Sequence, residues 1–272
     1  MDLSRTRIVL RERALVDVFD LALRFVVEHG AVYAKTALVV LPPFFVASVF
    51  IARAGGWIAT WTFALFTVGF AVAPFTVLAS RLVFEDDTGS LSAIKQALRA
   101  VHRIFALRVA TILGGALGLL ALLFPGAFVF VVTLFVVEVA LLERASTSTA
   151  IFRSMRMVGR ESGEAVMALL VLSLLYGVAV LAADSGGRAI IAVLLESRAP
   201  APMWSEGLGW SYLSLLGFWL FVPYAATARF FVYLDVRTRS EGWDIQTRFT
   251  AIATRPLTRG PGQAASTSRS AA

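Results

Sequence analysis

This 272-residue chain is 58% hydrophobic and only 16% charged, against about 25% charged for a soluble domain. Its apolar residues fall in blocks too long for a soluble core, so the expected class is an all-α integral membrane protein, each crossing taking about 20 mostly apolar residues. The net charge of +7 is spread over helix ends and tails rather than gathered into one stripe, which argues against nucleic acid and for anionic lipid headgroups as the partner.

Residues 1–30 read as a cytoplasmic amphipathic helix. Arg5, Arg7, Arg11, Glu12, Arg13, Asp17, Asp20 and Arg24 break up any secretory apolar core, so the N-terminus is expected to be retained. Leu15, Val18, Phe19, Ala22, Phe25 and Val26 form an apolar stripe. Arg13–Asp17 and Asp20–Arg24 are spaced for i,i+4 pairs beside it.

Residues 31–244 are expected to form a bundle of about six transmembrane helices in three hairpins, at 32–51, 57–83, 105–123, 126–142, 165–183 and 208–233. Pro42, Pro43, Pro74 and Pro223 fall inside these runs and read as kinks, since neighbouring helices can re-satisfy the freed carbonyls. Gly114 and Gly118 make a small-xxx-small pair that lets another helix approach closely. Residues 188–196 (R-A-I-I-A-V-L-L-E) are too short to span and read as an interfacial helix in an outer loop. Residues 245–272 are a largely disordered cytoplasmic tail, Gly-, Pro-, Ser-, Thr- and Arg-rich beyond 256.

Two interfacial helices, about 90–104 and 147–161, carry an internal repeat. Residues 92–103 read S-A-I-K-Q-A-L-R-A-V-H-R, and residues 149–160 read T-A-I-F-R-S-M-R-M-V-G-R. In an ungapped register offset by 57 residues, Ala93, Ile94, Arg99, Val101 and Arg103 meet Ala150, Ile151, Arg156, Val158 and Arg160. Arg99, Arg103, Arg156 and Arg160 are the expected lipid-facing basic residues. Packing of these helices beneath the bundle, without lipid preference, is the competing reading. Only Arg53, Arg188 and Arg198 of the basic residues fall in the connections 52–56, 124–125 and 184–207. Both termini are therefore expected on the cytoplasmic side. Trp57, Trp61, Trp204 and Trp210 would form the outer aromatic belt.

Ionisable residues inside spans are functional candidates. Arg81, Glu138 and Arg229 form the candidate charge cluster, with Arg81 and Glu138 at equivalent repeat positions. Glu138 tying both arginines together, independent snorkelling of each residue, and an ion relay all remain open. His29 and His102 are far apart in sequence, and there is no cysteine, phosphate loop, nucleophile elbow or dinucleotide fingerprint. No metal, cofactor or enzyme activity is expected. A divalent cation at Glu85-Asp86-Asp87 is disfavoured against simple dipole stabilisation of the following helix.

The last span ends Y-L-D-V-R-T-R-S-E-G-W-D-I-Q, residues 233–246. This resembles the Tyr-x-Asp-x-Arg-x-Arg-x-Glu-Gly-aromatic-Asp run of a bacterial multi-pass family similar to the membrane domain of some glycerophosphoryl diester phosphodiesterases. The R-A-L-V-D-V-F-D-L-A-L-R-F segment at 13–25 also looks like that family's N-terminal helix. The resemblance implies a six-helix bundle in a bacterial plasma (inner) membrane. It does not imply phosphodiesterase activity, because no acidic and histidine catalytic domain accompanies these residues. Tyr233, Asp235, Arg237, Arg239, Glu241, Gly242 and Asp244 carry the motif. They read as a helix terminus fixed to the membrane surface, with Asp235–Arg239 and Arg237–Glu241 as i,i+4 pairs, or as a docking site for a protein partner. The expected function is a non-enzymatic scaffold or regulator of a cytoplasmic or membrane partner at the cytoplasmic face. A transporter or lipid-handling permease is the alternative, and an intramembrane enzyme comes third.

Overall fold

A computed structural model describes residues 14–85, 89–121, 123–143, 145–194 and 211–241. Among them lie nine helices and no strand. They are α1 (Leu15–Glu28), α2 (Gly30–Phe84), α3 (Ser90–Arg99), α4 (Val101–Ala121), α5 (Leu123–Val132), α6 (Val136–Leu142), α7 (Thr147–Arg160), α8 (Ser162–Leu194) and α9 (Tyr212–Glu241). Four of them are long and apolar enough to cross a membrane: α2, α4, α8 and α9. Leu38, Leu117, Leu120, Leu174 and Val193 stand on the outer surface of these helices, each 66–84% exposed. An apolar exterior of that kind matches a hydrocarbon surround.

The first two apolar runs form one helical element that breaks at Gly56, where φ is 76° and ψ 179°. That conformation is open only to glycine. The chain reverses there: Tyr33 and Phe75 stack with ring centroids 6.3 Å apart, although 42 residues of straight helix would span about 63 Å. The helix continues through Pro42, Pro43 and Pro74 without a second break.

α9 is the interior helix. Of its most apolar window 72% is buried, against 17–22% for the other three crossing helices. It packs against α1, α2, α7 and α8. Tyr33 Oη lies 2.8 Å from Thr227 Oγ1, Phe44 stacks on Trp219, and Trp61 meets Phe218 edge-on. Both arms of α2 thus lie along α9. On α1, Val18, Phe19, Ala22 and Phe25 are buried, Phe25 meets Phe231 edge to face, and Tyr224 Oη donates to the Phe19 carbonyl. The apolar stripe of α1 therefore covers the bundle, and its Asp20–Arg24 pair faces outward at 2.9 Å. Arg13 lies outside the described residues.

α4 and α5 pack as a second hairpin, and the close approach falls at Gly115 rather than at Gly114. A Cβ at Gly115 would stand 2.7 Å from Phe130 Cζ, and one at Gly114 3.5 Å from Val129 Cγ1. Two expectations change. The segment 188–196 is not a separate interfacial helix, because α8 runs unbroken from Ser162 through Leu194. Asp184, a third of the way from its end, is 2% exposed, accepts from Arg188 at 2.8 Å and takes the Ser211 hydroxyl, which stitches the start of α9 to α8. The run at 126–142 is also interrupted: Thr133, Leu134 and Phe135 form a turn between α5 and α6. No proline is involved. The Val132 carbonyl takes the Ser154 hydroxyl at 2.7 Å, and the Leu134 carbonyl takes Arg229 Nη2. Thr133 Oγ1 turns back onto the Val129 carbonyl at 2.6 Å. Side chains that take backbone carbonyls in this way break a helical ladder.

Candidate functional site

Apart from the Asp20–Arg24 and Asp184–Arg188 pairs, the candidate ionisable residues fall into three clusters. The first lies at the α5–α6 turn. Glu138 is fully buried and accepts from Arg229 Nη2 at 3.0 Å, and the same nitrogen donates to the Leu134 carbonyl. One guanidinium therefore joins α9 both to the broken helix and to its only buried carboxylate. Arg81 is not the third member. Its Nη1 donates to Ser92 Oγ and its Nη2 to Gln96 Oε1 at 2.7 Å, with Glu85 at 3.8 Å, so it ties the end of α2 to α3.

Another arginine inside a long apolar helix, Arg108 of α4, stands with Arg229 instead. The two line a small cavity of about 130 Å³ with Thr111, Thr133 and Leu134. Arg108 Nε donates to the Phe66 carbonyl at 3.2 Å, and Nη2 bonds the Leu65 carbonyl. Gly69 makes room for this crossing: a Cβ there would lie 2.7 Å from Arg108 Cδ and 2.8 Å from Nε. Gly69→Ala should therefore cost about 2 kcal/mol by dislodging a charged hydrogen-bond donor. In an Arg108→Met background the same change should be neutral or slightly stabilising, because alanine is the better helix former. Thermal unfolding of the four proteins in detergent reads this cycle; equal costs in both backgrounds would rule out the Arg108 contact as the cause.

The second cluster is the C-terminal motif. Glu143, at the end of α6, accepts from Arg153 at 2.7 Å, from Arg237 at 3.1 Å and from Tyr233 Oη at 2.8 Å. Arg237 also donates to Tyr233 Oη at 2.9 Å. Arg239 bonds Glu164 of α8 and pairs with Asp235 at 2.9 Å. Asp235, Arg237 and Arg239 are each under 20% exposed. The motif residues thus clamp α6, α7, α8 and α9 together. Glu241 closes α9, while Gly242, Trp243 and Asp244 lie outside the described residues. Glu143 and Glu164 were absent from the sequence-based candidates, since each finds its arginines on other helices, outside helical spacing.

The third cluster surrounds the first repeat copy. Arg81, Lys95, Gln96, Arg99 and Arg103 line a cavity of about 470 Å³ closed on one side by Ala140 and Leu141. On the second copy, Arg153 turns to Glu143, and Arg156 and Arg160 are exposed. The apolar positions that recur at helical spacing, Ile94, Ala97, Leu98, Val101, Ile104 and Phe105 in the first copy and Ile151, Phe152, Met155 and Val158 in the second, divide between the bundle and its surroundings. Ala93, Ala97 and Ile104 are buried, but Leu98 and Phe105 are more than half exposed; Ser154, Met157 and Val158 are buried, but Phe152 is 68% exposed. Small and hydroxyl residues share the inward contacts with Ile104, Met157 and Val158, and Leu98, Phe105 and Phe152 are left to the surroundings.

Comparison with protein families, with curated proteins and with solved structures returns no match to this chain.

Proposed function

We propose that this chain is a non-enzymatic bacterial plasma-membrane protein that crosses the bilayer six times, with both termini cytoplasmic, and acts as a scaffold or regulator of a partner at the cytoplasmic face. The two arms of α2, then α4, the α5–α6 pair, α8 and α9 supply the crossings. The bias of basic residues toward one set of helix ends supports the orientation. The observation that carries the reading is the clamp of Glu143 and Glu164 with Arg153, Arg237 and Arg239. It joins the ends of α6, α8 and α9 and the middle of α7 into one platform beside the basic helix α7. A rigid platform suits docking better than alternating access, which needs one bundle half to rock against the other.

The absence of native cysteine makes topology directly testable. A single Ser148→Cys substitution should resist a membrane-impermeant maleimide in intact cells and react after permeabilisation. Labelling from outside would overturn the orientation. Purification from native membranes should then recover a stoichiometric protein partner together with anionic lipid; recovery of neither would remove the support for a scaffold. A lipid-handling permease is the second reading, favoured by the Arg108–Arg229 cavity beside an interrupted helix. Lipid translocation in proteoliposomes, abolished by Arg108→Met, would establish it instead.

A further inference from the structure

We infer that the cavity beside α3 binds the phosphate of an anionic membrane phospholipid, an assignment that rests on the cytoplasmic-face reading above. Among the described residues, the ionisable side chains that line it are all basic: Arg81, Lys95, Arg99 and Arg103. Its volume of about 470 Å³ falls in the range of roughly 300–1,000 Å³ common to small-ligand pockets. Arg81 is held in place by Ser92 Oγ and Gln96 Oε1, so one guanidinium is oriented before any ligand arrives. Lys95 and Arg99 are exposed and form no ion pair among the described residues. A phosphate oxygen is the acceptor that such donors match, and guanidinium groups engage it in a bidentate fashion.

The apolar surroundings select a lipid over a soluble phosphate. Leu91, Leu98, Val101 and Phe105 on the same segment are 44–63% exposed, and Ala140 and Leu141 form the inner wall of the cavity. A headgroup can thus sit among the cations while its chains follow the exposed apolar residues into the bilayer.

The second repeat copy supplies the contrast. In the offset of 57 residues, Arg81 becomes Glu138, Lys95 becomes Phe152 and Gln96 becomes Arg153. Glu138 is consumed by Arg229 and Arg153 by Glu143. The second copy has therefore turned its equivalent positions into internal ion pairs and an outward aromatic ring. The first copy has kept an open cationic cavity. A general attraction of basic helices to the membrane surface would treat the two copies alike.

The full chain in phosphatidylcholine nanodiscs, titrated with phosphatidylglycerol, tests this. Wild-type protein should bind phosphatidylglycerol saturably, as read by native mass spectrometry. Lys95→Gln with Arg99→Gln should weaken binding roughly 30-fold, from about 1 kcal/mol per basic residue. Arg156→Gln with Arg160→Gln removes the same charge from the second copy and should leave binding unchanged. All four positions are at the surface, so these variants should fold, and an unchanged unfolding temperature checks it. Equal losses in both variants, or no preference over phosphatidylcholine, would overturn the site. Displacement of the lipid by inorganic phosphate at matching concentration would reassign the site to a soluble ligand and overturn the lipid source. Failure here with Ser148→Cys still protected from outside would leave the orientation standing, whereas labelling of that cysteine would remove the cytoplasmic reading whatever the lipid result.

Discussion

Glu138→Leu is expected to be among the most destabilising single substitutions in this chain, by about 3–5 kcal/mol. The carboxylate is 0% exposed and its partner Arg229 is 19% exposed, so deleting the acid leaves a guanidinium in the bundle with no countercharge. Arg229 would keep only its bond to the Leu134 carbonyl. Removing both charges has a different consequence. Arg229 Nε has no acceptor, so the pair is imperfectly satisfied as it stands. Replacing a buried pair by apolar residues of similar size is often close to neutral. Glu138→Leu with Arg229→Met should therefore unfold at a temperature nearer wild type than either single variant. Charge swaps discriminate further. Glu138→Arg with Arg229→Glu should recover part of the loss, because the two groups face each other. Arg81→Glu with Glu138→Arg should recover none, because Arg81 is committed to Ser92 and Gln96. Thermal unfolding in detergent, with monodispersity by size exclusion, measures all five proteins. Rescue by the Arg81 swap would show that the sequence-based cluster, and not the observed pair, describes the folded protein.

The features legible in the sequence were those carried by local pattern. Long apolar runs locate the long apolar helices, and the expected connection at 52–56 contains Gly56, where the first two part. The i,i+4 spacing of Asp235 and Arg239 foretold a pair that forms at 2.9 Å. What was not legible depends on tertiary partners. The turn at Thr133–Phe135 has no breaker residue; it exists because Ser154 and Arg229 take carbonyls from the ladder. Arg108 sits inside an apolar run, and only Gly69 on another helix explains how its side chain is accommodated. Glu143 has no opposite charge at helical spacing, and its arginines are 10 and 94 residues away in sequence. Periodicity named the apolar positions of both repeat copies but not which of them pack inward: Ala97, Ile104 and Val158 are buried, while Leu98, Phe105 and Phe152 are exposed. In a soluble helix the large apolar residues turn inward, but in a bilayer they are equally at home facing lipid. Small residues such as Ala93, Ala97, Ala150 and Ser154 then make the interhelical contacts.

The same preference for small residues predicts the second large effect, at Gly217→Ala. Alanine is the better helix former by about 1 kcal/mol, so an isolated helix would gain from the change. Here the new Cβ would lie 2.4 Å from Ala183 Cβ and 2.7 Å from the Ala179 carbonyl oxygen. The second contact is to backbone, which cannot rotate away, so α8 and α9 must separate. Overpacking of a closely packed interface costs about 1–3 kcal/mol, and the upper end is expected because this contact lies between the Asp184–Ser211 tie and the Arg239–Glu164 clamp. Both ends are fixed, so the wedge cannot be relieved by tilting one helix about a free terminus. Gly177→Ala on α8 provides the control: a Cβ there meets nothing within 4 Å, and the change should be neutral or slightly stabilising. Adding Ala183→Gly to Gly217→Ala should recover only part of the loss, because the Ala179 oxygen remains in the way. Full recovery in thermal unfolding would mean that the side-chain clash alone sets the spacing of the two helices, and that the backbone approach at Ala179 is looser than the geometry requires.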